Sequence, residues 1–169
     1  GTGEESQPDP TPDPINHLKC NPDRPKMVLK IYSLNTDSYR LLGLFNEFKI
    51  IPLSYKNTVS SSIRVFVDLA VFKFIETEGL EVDIKKCYQS DLKKIPLKKR
   101  LEYIKANKLT GKPQNIIGRL LDPTSQYSLD VLNGFIHGQD THYLNKQFLN
   151  GFWDFLFPLF QELLDIREI

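Results

Sequence analysis

The sequence predicts an all-α fold, five or six helices bundled around one long buried helix. Three observations carry this. Between Thr58 and Gly79, Ile63, Phe66, Val67, Ala70, Val71 and Phe74 recur at three- and four-residue steps, the mark of a helix with a wide apolar face. Val65, Leu69 and Phe72 fall elsewhere on the wheel, so little circumference is left for water and other helices should enclose this one. The remaining apolar residues form further helical stripes, and the one extended candidate, MVLKIYSL at 27–34, alternates too weakly to predict a sheet.

The elements follow in chain order. Residues 1–14, GTGEESQPDPTPDP, set prolines among polar and acidic residues with nothing to bury, so they read as a disordered linker. Gly1–Gly3 match the remnant of an expression tag, and a linker here predicts that the chain is the C-terminal part of a larger protein. Residues 15–36 form an irregular lead-in interrupted by Pro22 and Pro25, and residues 37–169 form the helical domain. Its first helix is predicted over 37–49, with Leu41, Leu44, Phe45 and Phe48 inward and Pro52 as terminator. The central helix spans 58–79, with Ser60, Ser61 and Ser62 at its capped start and Gly79 as a left-handed terminator. Leu80, Val82 and Ile84 alternate and predict a few extended residues. Further helices are predicted over 97–108, over 113–121, from 125 or 128 to 137, and a last one from 143 or 144 to 166. That last helix carries Phe148, Phe152, Trp153, Phe155 and Phe160, more aromatic surface than one face of a small bundle needs. Part of it is therefore expected to be a self-association surface, giving a homodimer or a contact with a partner protein of the same system.

Composition removes several function classes. A net charge of +1 gives no global attraction to nucleic acid or membrane. No apolar run reaches membrane-spanning length, and no secretory leader is visible, so a cytoplasmic location is expected. Cys20 and Cys87 sit in no CxxC pair and suit free thiols. There is no glycine-rich phosphate loop, nucleophile elbow, zinc spacing or dinucleotide fingerprint, so neither metal nor cofactor is expected. Asp140, His137 and His142 crowd one short loop, a weak pattern for a metal site.

Charge is distributed unevenly. From Lys85 to Lys112 ten cations face only Asp91 and Glu102, a local excess of eight. Lys93, Lys94, Lys98, Lys99, Arg100, Lys105 and Lys108 are the candidate nucleic-acid contacts, with Tyr88 and Tyr103 interleaved for stacking. The same lysines also suit a solvated face that keeps the domain soluble.

Two short motifs complete the reading. Arg64-x-x-x-Asp68-Leu69 lies on the central helix, and Leu132-Asn133-x-x-x-His137 on a later one. In this order, around a basic middle segment, they resemble the HEPN superfamily of helical domains, especially those of bacterial multidomain defence and ParB-like nuclease proteins. The resemblance implies an HEPN-like bundle over residues 37–166. It also implies a metal-independent endoribonuclease chemistry in which an arginine a few residues ahead of the histidine stabilises charge on the scissile phosphate. The corresponding places here are Asp130, Val131 and Leu132, none of them cationic. The expectation is therefore a non-catalytic module serving association, nucleic-acid contact or both, in phage defence or DNA processing. Were it an active ribonuclease, His137, Asn133 and Arg64 would carry the reaction. A sequence-independent nucleic-acid-binding domain is the other alternative. Asn133 and His137 are four apart on one helical face, which equally suits a structural hydrogen bond and a C-terminal cap.

Overall fold

A computed structural model of the chain describes residues 20–137 and 144–169. The described residues form a mostly helical domain with one small sheet. In order they are strand β1 (Tyr32–Asn35), helices α1 (Tyr39–Phe48), α2 (Lys56–Thr77) and α3 (Glu81–Tyr88), a single 3-10 turn (Leu92–Lys94), α4 (Leu97–Asn107), α5 (Gly111–Leu120), α6 (Leu129–Ile136), α7 (Lys146–Leu163) and strand β2 (Asp165–Glu168).

The long helix α2 is buried as its pattern requires. Ile63, Phe66, Val67, Ala70 and Val71 are almost fully inaccessible, and α1, α4, α6 and α7 pack around it. Rings from three helices meet at its centre. Phe66 of α2 lies edge-on to Phe160 of α7 at 4.9 Å and 5.4 Å from Trp153, which in turn meets Phe48 of α1 at 5.4 Å. Each such side chain contributes about 1.5–3 kcal/mol when fully buried. Much of the aromatic surface of α7 packs within the chain: Phe152, Trp153 and Phe160 are buried, while Phe148 and Phe155 are partly buried.

Four expectations change. A sheet does form. Tyr32 and Leu34 point into the core while Ser33 and Asn35 flank them, and β1 pairs antiparallel with β2, Tyr32 opposite Glu168 and Asn35 opposite Asp165. Four residues of weak alternation carry little signal alone; the C-terminal partner supplies the ladder. The last helix accordingly stops at Leu163, because Leu164 turns extended and its buried side chain leads the chain into β2. Residues 80–88 are helical rather than extended, which raises the helix count to seven among the described residues. Leu80 and Ile84 are buried one turn apart, while Val82 is 62% exposed. The apparent two-residue alternation was one helical step seen beside a surface valine. Finally, the serine run does not cap α2, which starts earlier at Lys56; Ser60 and Ser62 donate to the Asn57 and Thr58 carbonyls.

Gly79 behaves as read. At φ +66° it takes the left-handed conformation, its N–H donates to Glu76 O, and Leu80 N–H reaches back to Ile75 O, a paired closure sealed by buried Leu80. Ser38, Ser128 and Asn145 cap α1, α6 and α7 through their side chains.

The irregular lead-in belongs to the same core. Met27 and Val28 are buried in it. Arg24 makes a forked ion pair with Asp154 of α7, at 2.7 and 3.0 Å, and its Nε donates to Met27 O. The Asn150 amide donates to the Pro22 and Arg24 carbonyls. Among the described residues no helix is long and apolar enough to cross a membrane.

Candidate nucleic-acid interface

Two groups of polar residues were anticipated from the sequence, and the fold treats them differently. The first is the motif pair. Helices α2 and α6 run side by side, with Ser61 Oγ donating to Phe135 O at 3.3 Å. One turn along, Arg64 Nε donates to Asn133 Oδ1 at 3.0 Å. Arg64 also pairs with Asp68 at 3.4 Å, the partner predicted by four-residue spacing. Asp68 is shared: its other oxygen accepts from Arg100 of α4 at 3.0 Å. An Arg100–Asp68–Arg64–Asn133 chain therefore ties α4, α2 and α6 together. His137 sits exposed at the C-cap of α6, its backbone N–H donating to Asn133 O, and its ring makes no hydrogen bond among the described residues. The fold thus joins Arg64 to Asn133 and leaves His137 one turn away. Asp140 and His142 lie outside the described residues. Among the described residues no three metal-binding side chains cluster.

The second group is the basic segment, and it is not one patch. Arg100 leaves it altogether. Its side chain is 11% exposed, and Nε, Nη1 and Nη2 donate to Ile95 O, Asp68 and Leu92 O. It is a helix-clamping residue, with three of its N–H groups committed to protein acceptors. The pattern held a sign of this: Arg100 lies three residues after Leu97 and four before Ile104, on the buried arc of α4. Lys105 is half-buried, its stem packing against Gly118 of α5, and Lys108 lies about 15 Å along the helix axis from Lys98. Lys99 covers the ring of Tyr88 at 5.4 Å, while the Tyr88 hydroxyl donates to Lys99 O at 3.0 Å. Burial raises the pKa of both Tyr88 and Tyr103. Tyr88 thus knits α3 to α4 and is not a free stacking platform, while Tyr103 is half-buried on α4.

What remains is a compact lysine group. Two adjoining surface depressions, of about 370 and 440 Å³, share Lys85, Asp91 and Lys94. Together they make a trough between α2, α3 and the 3-10 turn. Gln89 and Ser90 line one end; Phe72, Leu92 and Lys93 line the other. Lys85, Lys93 and Lys94 are exposed, and the one ion pair in the trough, Lys85–Asp91, is 4.0 Å long between solvated groups. Such a pair neutralises little. Glu81 also borders the trough, so three lysines face two carboxylates there. Lys98 is exposed immediately beyond, on the first turn of α4.

Phe72 was not anticipated as a functional residue. It leaves the apolar stripe of α2 and is 37% exposed at the trough wall, with the Arg100 guanidinium 6.0 Å from its ring centroid. An aromatic on the polar arc beside Lys73 was the only sequence signal for it.

No family model, curated protein or solved structure matches this chain. The HEPN resemblance rests on the short motifs and the order of the helices.

Proposed function

We propose that this chain is a non-catalytic, HEPN-like helical module that contacts nucleic-acid backbone through the lysine trough between α2, α3 and the 3-10 turn. The observation that carries the reading is the convergence of Lys85, Lys93 and Lys94 on one open trough with a single weak counter-ion contact. Lysine, a flexible point charge, suits contact with phosphates irrespective of base sequence. Support for the absence of catalysis comes from Arg64. Its donors are directed at Asn133 and Asp68, and no arginine precedes His137 within α6.

The test is fluorescence anisotropy with a labelled oligonucleotide across a salt series. Binding should weaken as a power of salt concentration, and Lys93→Glu with Lys94→Glu should abolish it. Salt-insensitive binding, or none at all, would overturn the reading.

One observation favours a second reading, the metal-independent endoribonuclease. Arg64 and Asn133 are bonded across α2 and α6, with exposed His137 a turn further on. This predicts RNA cleavage that disappears in His137→Ala; an intact RNA substrate after long incubation with the wild-type chain removes it.

A further inference from the structure

Resting on the nucleic-acid reading above, we infer that the trough is built for a single strand, with Phe72 as the platform on which one unpaired base stacks. Phe72 is the one large aromatic exposed at the lysine trough, and it stands on α2, outside the basic segment. The Arg100 guanidinium is seated over one side of its ring at 6.0 Å, so the exposed area belongs to its other face and edge. Arg100 is itself anchored by Ile95 O, Leu92 O and Asp68, which fixes the platform from behind.

The charge arrangement fits the same occupant. Lys93 and Lys94 lie beside the ring, and Lys85 bridges to the second depression, where Gln89 and Ser90 offer neutral polar groups. A strand laid along the trough would put one base against Phe72 and successive phosphates against the lysines. Stacking needs an accessible base face, which a duplex keeps inside its own stack, and it tolerates any base because every base has a π-face. The surface therefore separates single strand from duplex without reading sequence. An acidic protein segment would meet the lysines equally well but would gain nothing from the ring.

The experiment compares a labelled thymidine 20-mer, its duplex with an adenosine 20-mer, and inorganic polyphosphate as the charge-only probe, all at one salt concentration. The single strand should bind at least about fivefold more tightly than the duplex, the gain expected of one stacked base. Phe72→Ala should remove that preference while leaving polyphosphate affinity unchanged, with an unaltered thermal melt confirming the fold. Phe72→Trp should retain the preference, and its indole emission should be quenched by the single strand. Equal binding of all three probes, or a preference that survives Phe72→Ala, overturns the stacking inference while leaving backbone contact intact. Absence of binding to every probe overturns both. Should Phe72→Ala melt early, unquenched emission from Phe72→Trp at saturating single strand is the deciding result against.

Discussion

Asp68 accepts from two guanidiniums, Arg100 at 3.0 Å and Arg64 at 3.4 Å, so one carboxylate on α2 holds α4 and, through Arg64 and Asn133, α6. Both arginines are mostly buried, at 11% and 15% side-chain exposure, while Asp68 is 41% exposed. The consequence is an asymmetry between the members of the chain. Asp68→Asn leaves two mostly buried cations facing each other and should lower stability by about 1–3 kcal/mol. Asn133→Ala removes one acceptor and should cost about 1 kcal/mol. His137→Ala, at an exposed cap, should stay within about 0.5 kcal/mol. Urea denaturation of the three variants checks the order; an Asp68→Asn variant as stable as His137→Ala would contradict it.

The lead-in is held by Arg24 and Asp154, a forked pair in which Arg24 is 6% exposed. Arg24→Ala should cost about 3 kcal/mol, because a carboxylate on α7 loses its partner. Arg24→Lys should not restore this, since a single ammonium reproduces neither the fork nor the Nε bond to Met27 O. Cys20 gives a second readout. Burial first, then Asp154, raises its pKa. Arg24 pulls the other way, so in Arg24→Ala the Cys20 thiol should hold its proton more tightly and alkylate more slowly, whereas exposed Cys87 should react as before.

Gly151 of α7 lies directly beneath the Tyr127 hydroxyl, and a Cβ there would overlap it. Tyr127 stacks on Phe155 at 5.3 Å and also meets Phe148 and Phe152, so it has little room to retreat. Gly151→Ala should destabilise by about 1–3 kcal/mol. Adding Tyr127→Phe, which removes the clashing oxygen, should recover part of that loss. A double variant no more stable than Gly151→Ala would show that the close approach is not the cause.

Acid should loosen the terminal sheet. Hydrogen bonds from Arg167 and then Asn35 hold the Asp165 carboxyl below its usual range, and Lys73 does the same for Asp37. A folded-state pKa below the unfolded one means stability that is present above the ordinary carboxylate value near ~4 and lost as pH falls through the lower value. Thermal midpoints should hold from about pH 8 to 5 and drop below about pH 4. Asp165→Asn should blunt the drop. An unchanged slope in that variant would assign the acid sensitivity elsewhere.

Much of the fold was readable because its signals are local. The three- and four-residue steps from Ile63 to Phe74 and the left-handed turn at Gly79 each depend on neighbours within one or two turns. Arg64 and Asp68 were legible for the same reason. What could not be read is long-range. Strand β1 exists because residues 165–168 reach it, and α3 is helical because Leu80 and Ile84 find one core. Arg100 counts as a basic-patch residue in sequence and as a buried clamp in space. Its guanidinium answers to Asp68, thirty-two residues away. The lysine trough and Phe72 are distant in sequence and adjacent only after α2, α3 and the 3-10 turn are packed. Periodicity and charge by themselves thus determined most of the helical segments and that a basic segment exists. Tertiary packing decided which cations stay in water, because a buried guanidinium must exchange its hydration for protein acceptors while an exposed lysine need not.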